Sequence, residues 1–193
     1  MEKIKRTVSP RWARFCGWCL RKLGWKSDNG PMEEKKAIVL GVPHTTVWDF
    51  LICYLFYTQF GKVAHIMIKK EFFFWPLGPI LRACGAVPVD RKNATAMLKS
   101  IIDAMDSEEE FHLAIAPEGT RKAVKRWKTG YYTIAKATGA QVYVGYYDWG
   151  RKRIGVGEKW TLLDDPKTDI RAIQDHYAPM GLQGRNKNGF TTG

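Results

Sequence analysis

Apolar positions follow two different rhythms along this chain. In the first stretch, Trp12, Phe15, Cys16, Cys19, Leu20 and Leu23 recur at the i, i+3, i+4, i+7, i+8, i+11 spacing that lines one face of a helix. Arginines and Lys22 fill the other side, with Trp18 and Trp25 near its borders. A turn-rich break at Ser27-Asp28-Asn29-Gly30-Pro31 ends that rhythm. Beyond it, short apolar runs alternate with helical stretches. The runs predict strands over 37–42, 63–68, 87–89, 111–116, 142–147 and 153–156, the first stopped by Pro43. The intervening patterns predict helices over 46–60, 94–105, 129–138 and 169–177. An aromatic stretch over 71–84 reads as helical with a break near Pro76 and Gly78. From Gly184 onward the chain is polar and rich in Gly and Asn, and a loose tail is expected over 184–193.

Strands alternating with helices predict an α/β fold, a layered helix/sheet/helix domain with a largely parallel mixed sheet. That domain is expected over 31–183, preceded by an N-terminal amphipathic helix within 1–30. A chain of 193 residues suits one domain and buries enough surface to fold without a metal or disulfide.

Charge changes how the first helix is read. The formal net charge is +12, and the first 26 residues hold eight Lys or Arg against the single Glu2. A basic amphipathic helix with tryptophans is suited to lie in the headgroup layer of an anionic membrane. The same pattern also fits a helix packed on the core with its basic face in water. Nucleic acid is the other partner of a basic chain, but no nucleic-acid-binding signature is found and none is expected as a partner. Arg14 and Arg21-Lys22 interrupt any apolar leader, and no apolar run approaches the roughly 18–20 residues of a membrane span. The expected location is therefore cytoplasmic, peripheral on the inner face of a membrane. At 45% hydrophobic and 13% aromatic residues, the composition excludes disorder for most of the chain.

Cys16 and Cys19 form a C-x-x-C, but inside the basic helix rather than after a strand, and no second ligand pair follows at zinc spacing. Small apolar residues on a helix face are the better reading, and no metal or cofactor is expected.

In largely parallel sheets, ligands gather at the carboxyl ends of the strands. Those ends offer His44-Thr45-Thr46-Val47-Trp48-Asp49, then Lys69-Lys70-Glu71, then Asp90-Arg91, then Glu118-Gly119-Thr120-Arg121. Asp49 in a first helical turn could hold one imidazole nitrogen of His44, leaving the other to take a proton. Thr46 to Asp49 also fits a capping box, in which Asp49 merely satisfies backbone donors. The Glu118–Arg121 turn could cradle a phosphate, or its Glu and Arg could pair across the loop. Arg91 invites the same two readings. His65 and His112 lie in apolar runs and read as core or edge histidines. Phe72-Phe73-Phe74-Trp75 reads first as core, or else as the wall of an acyl-chain groove or a bilayer contact.

Together these segments resemble the glycerolipid acyltransferase family typified by 1-acylglycerol-3-phosphate acyltransferases. His44 and Asp49 match its histidine and aspartate with four residues between, Gly85 to Arg91 its second block, and Ala116-Pro117-Glu118-Gly119-Thr120-Arg121 its third. Pro43 replaces its usual Asn and Thr46 its usual Ser, and the last block, 141–147, lacks the usual Pro. The resemblance spans about 37–147. It implies transfer of a fatty acyl group from a thioester, acyl-CoA or acyl carrier protein, to the free hydroxyl of a lysophospholipid, 1-acylglycerol-3-phosphate giving phosphatidic acid. His44 would be the general base and Asp49 would orient it. Lys69, Arg91, Glu118, Gly119, Thr120 and Arg121 would form the acceptor site. An amino-acid-containing lysolipid is the alternative acceptor, and a non-catalytic basic membrane-binding module the alternative class.

Overall fold

The computed structural model describes residues 8–90 and 93–193. In chain order the elements are α1 (Pro10–Lys22), β1 (Lys26–Ser27), β2 (Lys36–Leu40), α2 (Trp48–Thr58), β3 (Ala64–Lys69), α3 (Leu77–Ala83), β4 (Ala86–Val89), α4 (Ala94–Ser107) and β5 (Phe111–Ile115). There follow α5 (Gly130–Thr138), β6 (Gln141–Tyr143), β7 (Tyr146–Asp148), β8 (Arg153–Gly155), β9 (Lys159–Trp160) and α6 (Pro166–Tyr177).

The main sheet runs β4-β3-β5-β2-β6-β9, parallel throughout except for β9. Successive residues of β2 point to opposite faces, as a pleat requires. Ile38 and Leu40 enter a core with Ile101 and Met105 of α4, Ile134 of α5 and Ile173 of α6. Ala37 enters a second core with Cys16 and Leu20 of α1 and Ile52, Leu55 and Phe56 of α2. This is the expected layered α/β fold with a largely parallel mixed sheet and an N-terminal helix.

Where the structure differs from the expectation, the causes lie in long-range packing. The apolar face predicted for the first helix is divided. Ala13, Cys16, Gly17 and Leu20 are buried against α2, whereas Trp12, Phe15, Trp18 and Leu23 stay about half-exposed. Gly17 permits the close approach, since a Cβ there would lie 3.3 Å from Gln59. The three exposed rings stack in sequence, Trp12 on Phe15 at 5.2 Å and Phe15 on Trp18 at 6.0 Å.

The single strand expected over 142–147 is two, because the chain leaves the main sheet at Gly145. A Cβ at that position would meet the Val39 side chain at 2.4 Å. β7 then joins β8 and β1 in a small second sheet. Over 71–84 only Leu77–Ala83 is α-helical, after a 3-10 turn at Lys70–Phe72. Phe72 and Phe74 are exposed and Trp75 is 85% exposed, so the core reading of that run is corrected. The segment from Gly184 is no loose tail either. Asn186 N–H donates to Thr45 Oγ1 at 3.3 Å, and Phe190 packs on Trp127 with ring centroids 6.1 Å apart.

Candidate active site

β2 and β5 are adjacent and parallel, with Leu40 opposite Ile115, so their continuations leave the sheet side by side. One continuation carries His44 and the other Glu118. α2 starts immediately after the His44 loop, which places Asp49 in its first turn.

Asp49 is 1% exposed and receives five hydrogen bonds from the described residues. Its Oδ2 accepts from the backbone N–H groups of Thr45 and Thr46, each at 2.8 Å, and from His44 Nδ1 at 3.1 Å. Its Oδ1 accepts from Thr46 Oγ1 at 3.1 Å and from the indole N–H of Trp149 at 2.8 Å. Asp49 thus both satisfies backbone donors and holds the histidine, but the capping box itself does not form, because the N-cap of α2 is Val47, without a side-chain cap bond. Burial of a carboxylate is tolerated where donors surround it. Because Oδ2 already accepts two backbone N–H groups, His44 Nδ1 is the donor toward it, and in the neutral imidazole this leaves the lone pair on Nε2. The His44 side chain is 30% exposed, open enough to meet a substrate.

Glu118 does not pair with Arg121. It turns inward, 4% exposed, and its Oε1 accepts the His44 backbone N–H at 2.8 Å. Its Oε2 is buried without a hydrogen-bond partner among the described residues. Burial pushes this carboxyl up to about 7, opposed in part by the bond from His44. Glu118 therefore anchors the loop that carries the histidine.

The remaining described candidates follow the ends of β3 and β5. Lys69 is exposed at the end of β3. Gly119 adopts φ 65°, a left-handed conformation that favours glycine, and Lys128 N–H closes the turn onto Pro117 O at 2.6 Å. Thr120 Oγ1 accepts from Lys122 N–H at 3.3 Å, and Arg121 is exposed and forms no ion pair among the described residues. Arg91 lies outside the described residues. Among the described residues, no cluster of His, Cys, Asp and Glu is arranged to hold a metal ion.

Sequence reasoning missed Trp149, which arrives at Asp49 from 100 positions away. It also missed the C-terminal segment, where Gly184 and Gly189 lie against Thr45 and Arg185 lies 5.1 Å from the ring centroids of both Trp48 and Trp149. No spacing pattern signals such contacts, since each joins segments that are distant in the chain.

A histidine whose Nδ1 is held by a buried carboxylate, at the carboxyl ends of parallel strands, is an arrangement that can take up a proton. A family model described as Acyltransferase matches residues 26–147, and the chain belongs to that family. Among curated proteins, it is 32% identical over 97 residues to a 1-acyl-sn-glycerol-3-phosphate acyltransferase of Streptococcus pneumoniae (strain ATCC BAA-255 / R6). That match covers 49% of this chain and 35% of the relative, so the chain spans about a third of the relative's length. The crystal structure of the 1-acyl-sn-glycerophosphate (LPA) acyltransferase PlsC from Thermotoga maritima has the same fold. The TM-score is 0.61 at 16% identity, over 88% of this chain and 76% of that one.

Proposed function

We propose that this protein transfers a fatty acyl group from a thioester, acyl-CoA or acyl carrier protein, to the free hydroxyl of 1-acylglycerol-3-phosphate, giving phosphatidic acid. The observation that carries the reading is the His44 Nδ1–Asp49 Oδ2 bond of 3.1 Å, which leaves Nε2 as the base. In this mechanism Nε2 takes the hydroxyl proton as the oxygen attacks the thioester carbonyl. The tetrahedral intermediate collapses, the C–S bond breaks, and the imidazolium returns its proton to the departing thiolate. Asp49 supports the transient imidazolium and orients the ring. No acyl-enzyme forms.

Lys69, Arg91 and Arg121 are the cations assigned to the acceptor phosphate, with Gly119 and Thr120 shaping the turn and Glu118 holding the His44 loop beside it. Fixing the phosphate brings the nearby hydroxyl within reach of the base. The acceptor is an amphiphile, and the chain offers a surface suited to a bilayer. Trp12, Phe15 and Trp18 stand exposed beside Arg11, Arg14, Arg21 and Lys22. No helix among the described residues is long and apolar enough to cross a membrane, which suits peripheral docking.

The test is lipid mass spectrometry after incubation with acyl-CoA or acyl carrier protein thioesters and a panel of lysolipids, for the parent and His44→Ala. Phosphatidic acid should be the leading product, and His44→Ala should lose a factor of about 10²–10⁴ in rate with its thermal unfolding unchanged. Parent-level turnover by His44→Ala would remove the base assignment. A leading product from an amino-acid-containing lysolipid would instead reassign the acceptor.

A further inference from the structure

We infer that Trp149 is a positioning residue of this site: its indole N–H locks the Asp49 carboxylate in the orientation that presents Oδ2 to His44. The inference rests on the reading of His44 as base. Of the donors to Asp49, four come from residues 44–46, within the same loop. Among the described residues, Trp149 alone comes from elsewhere, just after β7, and reaches Oδ1 at 2.8 Å. The local donors can move with their loop, and the Thr46 hydroxyl can rotate away. A ring anchored on a different element supplies a fixed reference for the carboxylate.

The anchoring of Trp149 is extensive. Its backbone N–H donates to Gln183 O at 2.8 Å, and the preceding Asp148 Oδ1 accepts from Gly150 and Arg151 N–H at 2.9 and 3.2 Å, shaping the turn. Its ring meets Trp25 edge-on at 5.0 Å between centroids. On a further side, the Arg185 guanidinium lies 5.1 Å from the Trp149 centroid and 5.1 Å from that of Trp48. Trp48 is the first residue of α2, immediately before Asp49. One cation therefore bridges the ring that donates and the helix start that carries the acceptor, through favourable cation–π contacts. Trp149 bonds Oδ1 and His44 bonds Oδ2, so Trp149 acts on the histidine through Asp49.

Trp149→Phe keeps an aromatic ring but removes the donor together with the pyrrole half of the indole, so comparison in two backgrounds separates the bond from the packing. Hydrogen bonds to charged groups are among the strong ones, and the expected loss is about tenfold in kcat with the KM of both substrates unchanged. In an Asp49→Asn background the carboxylate charge is already gone, so the same substitution should cost no more than about twofold. Equal proportional losses in the two backgrounds, or parent kcat in Trp149→Phe, would overturn the inference. A second measurement needs no Trp149 variant to fold. In ¹H–¹⁵N spectra, the Trp149 indole resonance should shift between the parent and Asp49→Asn more than those of the other tryptophans. An unmoved Trp149 resonance would also overturn the inference. If His44→Ala kept its turnover, the base assignment would fall by itself, while the cycle and the spectra would still report whether Trp149 acts through Asp49.

Discussion

The backbone N–H of His44 donates to Glu118 Oε1 at 2.8 Å, across 74 positions of chain. This bond ties the loop after β2 to the turn after β5 and makes the third sequence block a support for the first. Glu118 contributes it from a buried position, with Oε2 unpartnered among the described residues, and its carboxyl is raised by burial to about 7 from the ordinary 4.5.

The pH consequence follows from the sign of that shift. Between about 4.5 and 7 the folded state holds the Glu118 proton and the unfolded chain releases it. Stability therefore falls as pH rises through that window and levels off above it, by on the order of 3 kcal/mol for a shift of this size. Glu118→Gln keeps an acceptor for His44 N–H and never ionises. Denaturant unfolding at pH 5 and pH 8 should show a decline in the parent that is largely absent in Glu118→Gln. An identical decline in both proteins would assign it to other groups.

Arg121 is exposed and forms no ion pair with Glu118, so it is available to an anionic acceptor. Arg121→Lys keeps the charge but loses the planar fork that binds two oxygens. With 1-acylglycerol-3-phosphate, kcat/KM should fall roughly ten- to a hundredfold, the worth of a charge-assisted bond. Monoacylglycerol, lacking the phosphate, should be a poor acceptor and almost indifferent to the change. Equal losses on both acceptors would assign Arg121 to loop structure instead.

Phe15 and Trp18 are about half-exposed, so replacing both by Ala should barely move the melting temperature. Their exposed rings are available to a bilayer, and losing them should weaken binding to anionic vesicles by roughly tenfold or more. Sedimentation with phosphatidylglycerol vesicles at low and high salt reads both the apolar and the screened charge contributions. Unchanged vesicle binding would move the docking surface elsewhere.

Gly184 lies so close to the His44 loop that a Cβ there would stand 2.3 Å from Thr45 Cγ2. Gly184→Ala should therefore destabilise the protein by about 1–3 kcal/mol, the usual cost of overpacking. Thr45→Ser removes the offending methyl and should restore much of the loss when combined with Gly184→Ala. Additive losses in the double variant would show that the two positions do not touch in solution.

Much of this molecule was legible in its sequence, for a local reason. Periodicity marks which residues a helix or strand turns to one face, so most elements between 37 and 177 and the layered α/β class followed from it, though not the division at Gly145 or the short β9. His44 and Asp49 are five positions apart, within reach of one turn, so their pairing was also a local inference. Pattern alone did not settle which half of an amphipathic face the core would take. Ala13 and Gly17 were small enough to approach α2, and Trp12, Phe15 and Trp18 were left outside. The partner of Glu118, the arrival of Trp149 at Asp49 and the packing of residues 184–190 over Thr45 were decided by tertiary structure. Each depends on which strands lie side by side and in what register. Parallel strands are paired through crossovers of a dozen or more residues, so no spacing along the chain records which side chains will meet at their ends.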